Sequence, residues 1–153
     1  MTTLITVVPP ARTPGAVPTG LVGRQLAHDL LPSGEAVRLL APKEEARGWP
    51  AGVELIEGSV RRPAEAPHAF VGLDRMFLAG ATPEARGEAP DVVCEVVRRA
   101  VDGGVQNVVV LSSHGPLFEI EQPPEQWHWL AVERAVEASC PCWTHIRPAA
   151  LPP

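Results

Sequence analysis

An α/β fold with a doubly wound parallel sheet of about six strands, in the order 3-2-1-4-5-6, is the architecture this sequence predicts. Three observations carry the prediction. Short apolar segments alternate with amphipathic ones along the whole chain at the spacing of βαβ units. The chain opens on a β-branched run, Leu4-Ile5-Thr6-Val7-Val8, which leads through a Pro/Gly-rich loop into the apolar-periodic segment Gly20 to Leu31. Farther on, Val105 to Leu111 is almost unbroken in its apolar character, the pattern of a parallel strand covered on both faces. Right-handed crossovers then leave little freedom in how the elements wind.

Taken in order, the first helix shows an apolar stripe of Val22, Leu26, Leu30 and Leu31, and the turn Pro32-Ser33-Gly34 ends it. Ala36 to Leu40 is the second strand, and Pro42 to Pro50 is a charged short helix or loop. Val53 to Glu57 alternates like a strand and closes at Gly58-Ser59. Pro63 to Gly72, interrupted by Pro67, is a weak helix or irregular crossing. Arg75 to Ala79 forms the fourth strand, with Gly80 after it and a loop from Ala81 to Ala89. Pro90 to Gly103 is the best helix: proline at its start, Asp91 in the first turn, Arg98 and Arg99 near the end and glycines beyond. After Val105 to Leu111 comes a loop with Pro116, Pro123 and Pro124, then a helix from Glu125 to Ser139 and a sixth strand from Trp143 to Arg147.

The totals bound the possibilities. A chain of 153 residues is one domain and buries roughly 70% of its unfolded surface, so residues 1–153 are expected to form a single unit with no separate substrate domain. Net charge is −5 and the 13 basic residues are scattered, which gives no footprint for nucleic acid or an anionic membrane. Three cysteines, Cys94, Cys140 and Cys142, without a leader or a membrane-length apolar run, point to the reducing cytoplasm. Cys140-Pro141-Cys142 is one residue short of a redox C-x-x-C and has no second pair for zinc, so all three are taken as packing residues and no metal is expected. The chain has no tyrosine, and Lys43 is its sole lysine. A Tyr-x-x-x-Lys proton donor or a Schiff-base lysine in a deep pocket is therefore ruled out.

In a doubly wound sheet, ligands bind beyond the carboxyl ends of the strands, where glycines let the backbone approach a pyrophosphate at a helix N-terminus. Gly20 and Gly23 occupy the second and third places of G-x-x-G-x-x-G, with Leu21 and Val22 between them, while the first place falls on Val17. Pro9, Pro10, Pro14 and Pro18 crowd the approach, and proline has no N–H to offer a phosphate. Val17 and Pro18 thus weaken an otherwise recognisable cofactor loop. The remaining crevice loops are Gly58 to Arg62, Gly80 to Thr82 and Ser112 to Gly115. Ser113 and His114 follow the apolar fifth strand; a hydroxyl there can orient a carbonyl, and an imidazole can move a proton near neutral pH. Trp127-His128-Trp129 offers two indoles to stack on a flat ring, with His128 as donor or base. Trp129, Val132 and Val136 also make a core stripe. Glu133 with Arg134 suits a solvated face, and His28 and His145 suit positions in or beside the core.

The ordered series Gly20-x-x-Gly23-Arg24-Gln25-Leu26, Val53 to Gly58, Asp74 to Leu78, Val108 to Ser113, Glu133 to Ser139 and Trp143 to Pro148 resembles the NmrA-like, NAD(P)H-binding branch of the atypical short-chain dehydrogenases/reductases. The resemblance covers essentially the whole chain. It implies a Rossmann-like domain, NAD(P) as cofactor, and Gly20, Leu21, Val22, Gly23, Lys43, Ser59 and Gly80 as cofactor-binding positions. The departures are specific. About eight residues are added between Val8 and Gly20, and the basic position after the second strand is Pro42, with Lys43 one place off. Ser59 stands where an acid often follows the third-strand glycine, and Ser139-Cys140 replaces Ser-Gly. Of the His-x-x-x-Glu that such relatives carry, Glu133 is present, but Trp129 lies four before it and His128 five.

The expected function is a small biosynthetic tailoring enzyme acting on an aromatic or polyketide-like molecule. Ser113, His114 and His128 would be catalytic, and Trp127 and Trp129 would bind substrate. NAD(P)-dependent redox chemistry competes with cofactor-free cyclisation, dehydration or isomerisation on the same scaffold. A non-catalytic module that senses a nucleotide or supports a partner is the third reading. The sixth strand as an open edge further predicts a homodimer or a partner chain completing the pocket.

Overall fold

The computed structural model describes residues 1–7, 19–79, 89–124 and 127–148. Six strands form one sheet: β1 (Thr2–Thr6), β2 (Ala36–Ala41), β3 (Glu54–Glu57), β4 (Arg75–Ala79), β5 (Asn107–Leu111) and β6 (Trp143–Ile146). Four helices accompany them: α1 (Thr19–Leu30), α2 (Ala89–Asp102), α3 (Gly115–Glu119) and α4 (Trp129–Ser139). The strand order is β3-β2-β1-β4-β5-β6 and every pairing is parallel, as the sequence predicts. The order reverses between β1 and β4, which is where such a sheet opens a crevice at its carboxyl edge.

The pleat explains why the strands tolerate unbroken apolar runs. Leu4, Leu40, Met76, Leu78, Val108 and Val110 enter one core layer with Val93, Val96, Val97 and Ala100 of α2 and Val132, Ala135 and Val136 of α4. Their sequence neighbours Ile5, Leu39, Phe77 and Leu111 enter the other layer, with Ala27, Val22, Leu26 and Leu30 of α1. Alternate residues of each strand thus face α2 and α4 or face α1, and both faces are dry. Full burial of a Leu or Val side chain contributes about 1.5–3 kcal/mol, so these two layers supply the main driving force for the sheet.

Several boundaries differ from the sequence reading, each for a local reason. The fifth strand begins at Asn107 because Val105 is used to close α2: the amides of Gly103, Gly104 and Val105 donate to the carbonyls of Arg99, Val101 and Ala100, with Gly104 at φ +114°. The last helix begins at Trp129, four residues later than predicted. The Glu119 carboxylate accepts from the amides of Trp129 and Leu130, the latter at 2.8 Å, and so caps α4 at that point. The short helix α3 falls in a stretch read as loop; Pro116 sits at the start of that helix, where its missing N–H costs nothing. Pro42 to Pro50 holds a 3-10 turn at Lys43–Glu45, and Pro63 to Gly72 holds two, at Pro63–Glu65 and Pro67–Phe70. Cys140 is buried as expected, but Cys94 and Cys142 are exposed. His28 likewise lies on the surface, its side chain 73% exposed beside Asp29.

Candidate functional site

Because the sheet is parallel, the carboxyl ends of β1, β2, β3 and β5 and the N-terminus of α4 all lie at one edge, and this edge carries those candidate residues that the structure describes. Thr6 shapes its middle. Its buried hydroxyl accepts from the Ala79 amide at 3.1 Å and lies 3.2 Å from the Ala79 carbonyl, while the β1–β4 register ends one residue earlier, at Thr6 opposite Leu78. A side chain therefore replaces the backbone ladder where the two strands part.

On the β1 side, Gly20, Leu21, Val22 and Gly23 form the first turn of α1. Gly20 and Gly23 are buried and Leu21 is exposed, while Val22 packs on the core layer under α1. A Cβ on Gly23 would stand 3.1 Å from Ile5 Cγ2 of β1 and 2.9 Å from the Trp49 indole. Gly23 thus performs the third-glycine role of a dinucleotide fingerprint, close packing of the helix on the strand. The nearest atoms to a Cβ on Gly20 would be the Glu45 carboxylate at 3.5 Å and the Arg24 guanidinium at 3.8 Å, ordinary contact distances beside a buried backbone. The packing of Gly23 fits a dinucleotide on the N-terminus of a twelve-residue helix. Lys43 is exposed at the start of its 3-10 turn. Ser59 follows β3, and its hydroxyl accepts from the Arg61 amide at 3.2 Å. Val17, Pro18 and Gly80 lie outside the described residues.

On the β5 side, Ser113 and His114 are half-buried. Ser113 Oγ accepts from the Gly115 amide at 2.9 Å, which ties down the turn into α3 and leaves the hydroxyl proton free to donate. His114 stands at the N-terminal boundary of α3 and His128 at that of α4. Trp129 packs so closely on Gly115 that a Cβ there would lie 2.5 Å from its Cδ1. The Trp127 indole N–H donates to the Gln122 carbonyl at 2.8 Å. Both indoles are therefore fixed by the protein and half-buried, each with ring surface left over. Contact between α3 and α4 brings the Ser113–Gly115 turn and the Trp127–Trp129 segment to the same wall.

Sequence reasoning misplaced one residue at this wall. Glu133, read as part of a solvated face, is fully buried. Its carboxylate accepts from Ser112 Oγ at 2.6 Å and from Arg147 Nε at 2.9 Å, with a second, shorter bond from Arg147 Nη2. Burial pushes the Glu133 pKa up, but the bonds from Arg147 and Ser112, with His145 nearby, more than reverse this and hold the carboxyl below its ordinary value. The network joins the last turn of β5, the middle of α4 and the end of β6, and so fixes the backbone that presents Ser113 and His114. The sequence held a signal for it: Glu133 lies three residues from both Leu130 and Val136, on the buried stripe of α4. Arg134 points the other way, to Glu137 at 2.6 Å. His145 is beside the core as expected, its side chain 5% exposed and stacked on Trp143 at 4.6 Å.

A second group at the β1 side also escaped the sequence. Arg24 lies over the Trp49 ring at 5.7 Å, donates to the Arg47 carbonyl at 3.0 Å and comes within 4.0 Å of Glu45. The Trp49 indole N–H in turn donates to the Glu45 carbonyl at 2.9 Å. Contacts between α1 and the turn after β2, 21 to 25 residues apart, leave no periodic trace.

Comparison with known proteins agrees with this geometry. A family model described as NAD(P)H-binding matches residues 18–152. A relative from Streptomyces griseus subsp. griseus, (4-alkanoyl-5-oxo-2,5-dihydrofuran-3-yl)methyl phosphate reductase, is 31% identical over 137 residues, which are 85% of this chain and 44% of that protein. The chain therefore spans less than half the length of that relative. The crystal structure of Citrobacter sp. triphenylmethane reductase complexed with NADP(H) superposes with a TM-score of 0.70 at 20% identity, over 96% of this chain and 49% of the other. A Rossmann-fold NAD(P)-binding family protein from Shigella flexneri gives 0.67 at 20% identity, over 97% and 66%. With the sheet order, the third-glycine packing at Gly23 and the match over residues 18–152, the chain belongs to the NAD(P)H-binding family and has the Rossmann fold.

Proposed function

We propose that this chain is the dinucleotide-binding domain of an NAD(P)H-dependent reductase that acts on a small biosynthetic intermediate of aromatic or polyketide type. The observation that carries the reading is the first turn of the twelve-residue helix α1, where Gly23 admits β1 and Trp49 at contact distance. A bound dihydronicotinamide supplies hydride. The chain's own residues would bind and orient: the free amides of Gly20 and Leu21 would receive the diphosphate on the helix dipole, with Val22 and Gly23 completing that turn, and Lys43 and Ser59 follow β2 and β3 at the same edge. Ser113, whose acceptor side is occupied by the Gly115 amide, would hydrogen-bond its hydroxyl to the substrate carbonyl and polarise it, keeping its own proton. His114 delivers the proton that completes reduction, with His128 as the second donor at the same wall. Trp127 and Trp129 offer ring faces to a flat substrate. The Streptomyces griseus relative, a reductase of a small acylated dihydrofuranone phosphate by its name, supports the substrate size.

Titration of NADH and NADPH into the protein, followed by tryptophan fluorescence, tests the cofactor. Micromolar binding of one of them retires cofactor-free cyclase, dehydratase or isomerase chemistry, and silence in both titrations retires the redox reading. Loss of turnover in His114→Ala and His128→Ala with folding intact separates an enzyme from a nucleotide-sensing module. The outer edge of β6 has no partner strand among the described residues, and Trp143 and Ile146 on it are exposed. A second copy of the chain fits that edge, and light scattering at twice the monomer mass is the expected result. No helix among the described residues is long and apolar enough to cross a membrane, and the free thiols suit the cytoplasm.

A further inference from the structure

We infer that Glu45 sets the coenzyme choice of this domain, toward NAD(H) and against NADP(H). The inference rests on the dinucleotide reading above. In a doubly wound sheet the adenosine ribose lies past the carboxyl end of the second strand, beside the first turn of the first helix; an acid there accepts from the 2′-hydroxyl, and a basic group receives a 2′-phosphate. The residue directly after β2 is Pro42, which does neither. The 3-10 turn Lys43–Glu45 then folds the chain back, and the Glu45 carboxylate arrives 3.5 Å from the Cβ position of Gly20. Glu45 is therefore an acid that the turn after β2 carries to the first turn of α1.

The guanidinium at the same corner is already committed. Arg24 Nη2 donates to the Arg47 carbonyl at 3.0 Å, the group lies 4.0 Å from Glu45 Oε2, and its flat face covers Trp49. Its Nε is buried with no hydrogen-bond partner among the described residues, and turning the group outward would expose Trp49 as well as break two contacts. A 2′-phosphate, with about two negative charges, would meet a carboxylate whose nearest cation is spent on it. A 2′-hydroxyl would meet an acceptor. Glu45 is partly exposed, its side chain 21% accessible, so it can reach a ribose without leaving its turn.

Equilibrium titration of the full chain with NADH and NADPH, read by quenching of tryptophan fluorescence, measures the preference directly. NADH is expected to bind about tenfold tighter than NADPH, a ratio equivalent to 1.4 kcal/mol. In Glu45→Gln, which keeps the shape and removes the charge, the ratio should fall to about one, with an unchanged melting temperature showing an intact fold. Tighter NADPH binding in the unmodified chain, or a ratio that Glu45→Gln leaves alone, overturns the assignment to Glu45 while the dinucleotide reading stands. No binding of either nucleotide sinks both.

Discussion

Two Arg–Glu pairs flank the crevice, and they differ in almost every physical respect. Arg147 and Glu133 are joined by two hydrogen bonds, and the carboxylate is fully buried and also takes a bond from Ser112. Arg24 and Glu45 stand 4.0 Å apart with side chains 30% and 21% accessible. Burying a carboxylate costs several kcal/mol unless its lone pairs are filled, so the first pair persists only as part of a satisfied network that ties β5, α4 and β6 together. An exposed pair contributes between zero and about 1 kcal/mol, so Glu45 can give up its contact with Arg24 to a ligand at little cost to the fold, while Arg24 stays on the Arg47 carbonyl and Trp49. One corner of the crevice is architecture and the other is open to exchange.

The largest effect expected from this contrast is on stability. Glu133→Ala leaves the Ser112 hydroxyl and the Arg147 guanidinium without their acceptor and opens a void; partial exposure of Arg147 softens the loss, which should be about 3 kcal/mol. For a domain of this size that lowers the melting temperature by about 6–12 °C, read by calorimetry. Glu45→Ala should change it by less than 2 °C, and equal losses from the two would break the distinction. The same network shapes the acid response. Because the Glu133 carboxyl is held below its ordinary value in the folded chain, its contribution is complete above the unfolded pKa of about 4.3 and is lost as pH falls through the lower folded value. Urea midpoints between pH 6 and 3 should therefore fall less steeply in Glu133→Gln than in the unmodified protein, and parallel curves would assign the acid limb to other carboxylates.

Next in size is the contrast within the first turn of α1. Gly23→Ala places a methyl 2.9 Å from the Trp49 ring and 3.1 Å from Ile5 Cγ2. Trp49 is held by its indole bond to Glu45, so relief requires α1 to move off β1, at about 1–3 kcal/mol. Gly20→Ala places its methyl nearest the tips of two long side chains at ordinary contact distance and should leave stability unchanged or raise it by up to about 1 kcal/mol, the helical preference of alanine. The informative outcome is the second readout: Gly20→Ala should still weaken nucleotide binding, because its methyl stands between the Glu45 carboxylate and the helix amides assigned to the nucleotide. Fluorescence titration of a stable Gly20→Ala with undiminished affinity would remove Gly20 from the binding surface.

What the sequence disclosed follows the same division. Sheet order, the α2 boundaries and the two-layer core were legible because they depend on periodicity and on local start and stop signals, as in Pro90-Asp91 and Gly103-Gly104. The tight packing at Gly23 was legible as the third place of a glycine motif because the need it reports is a backbone one. Glu133 was missed because charge was weighed above its place on the stripe Leu130, Glu133, Val136. Arg147, the group that makes its burial tolerable, lies fourteen residues away, and no local window contains both. Glu45 was missed for another reason: a proline at the end of β2 looked like the loss of a ribose contact, and only the fold of the following turn shows an acid brought back to Gly20.

The smallest expected effect is the most discriminating. If the Arg24–Glu45 pair is held for a ligand rather than for the fold, Glu45→Gln should alter unfolding free energy by no more than about 0.5 kcal/mol, and raising salt from 0.05 to 0.5 M should alter the unmodified protein by a similarly small amount, since partly exposed charges are screened. Arg24→Met retains a stem over Trp49 and should also stay within about 1 kcal/mol, whereas Arg24→Ala uncovers the indole and should cost more. Chemical denaturation of the three variants at two salt concentrations resolves these differences. A Glu45→Gln loss near that of Glu133→Ala would mean that the entrance corner is welded as firmly as the β5–α4–β6 network, and a carboxylate so fixed could not turn to meet a ribose.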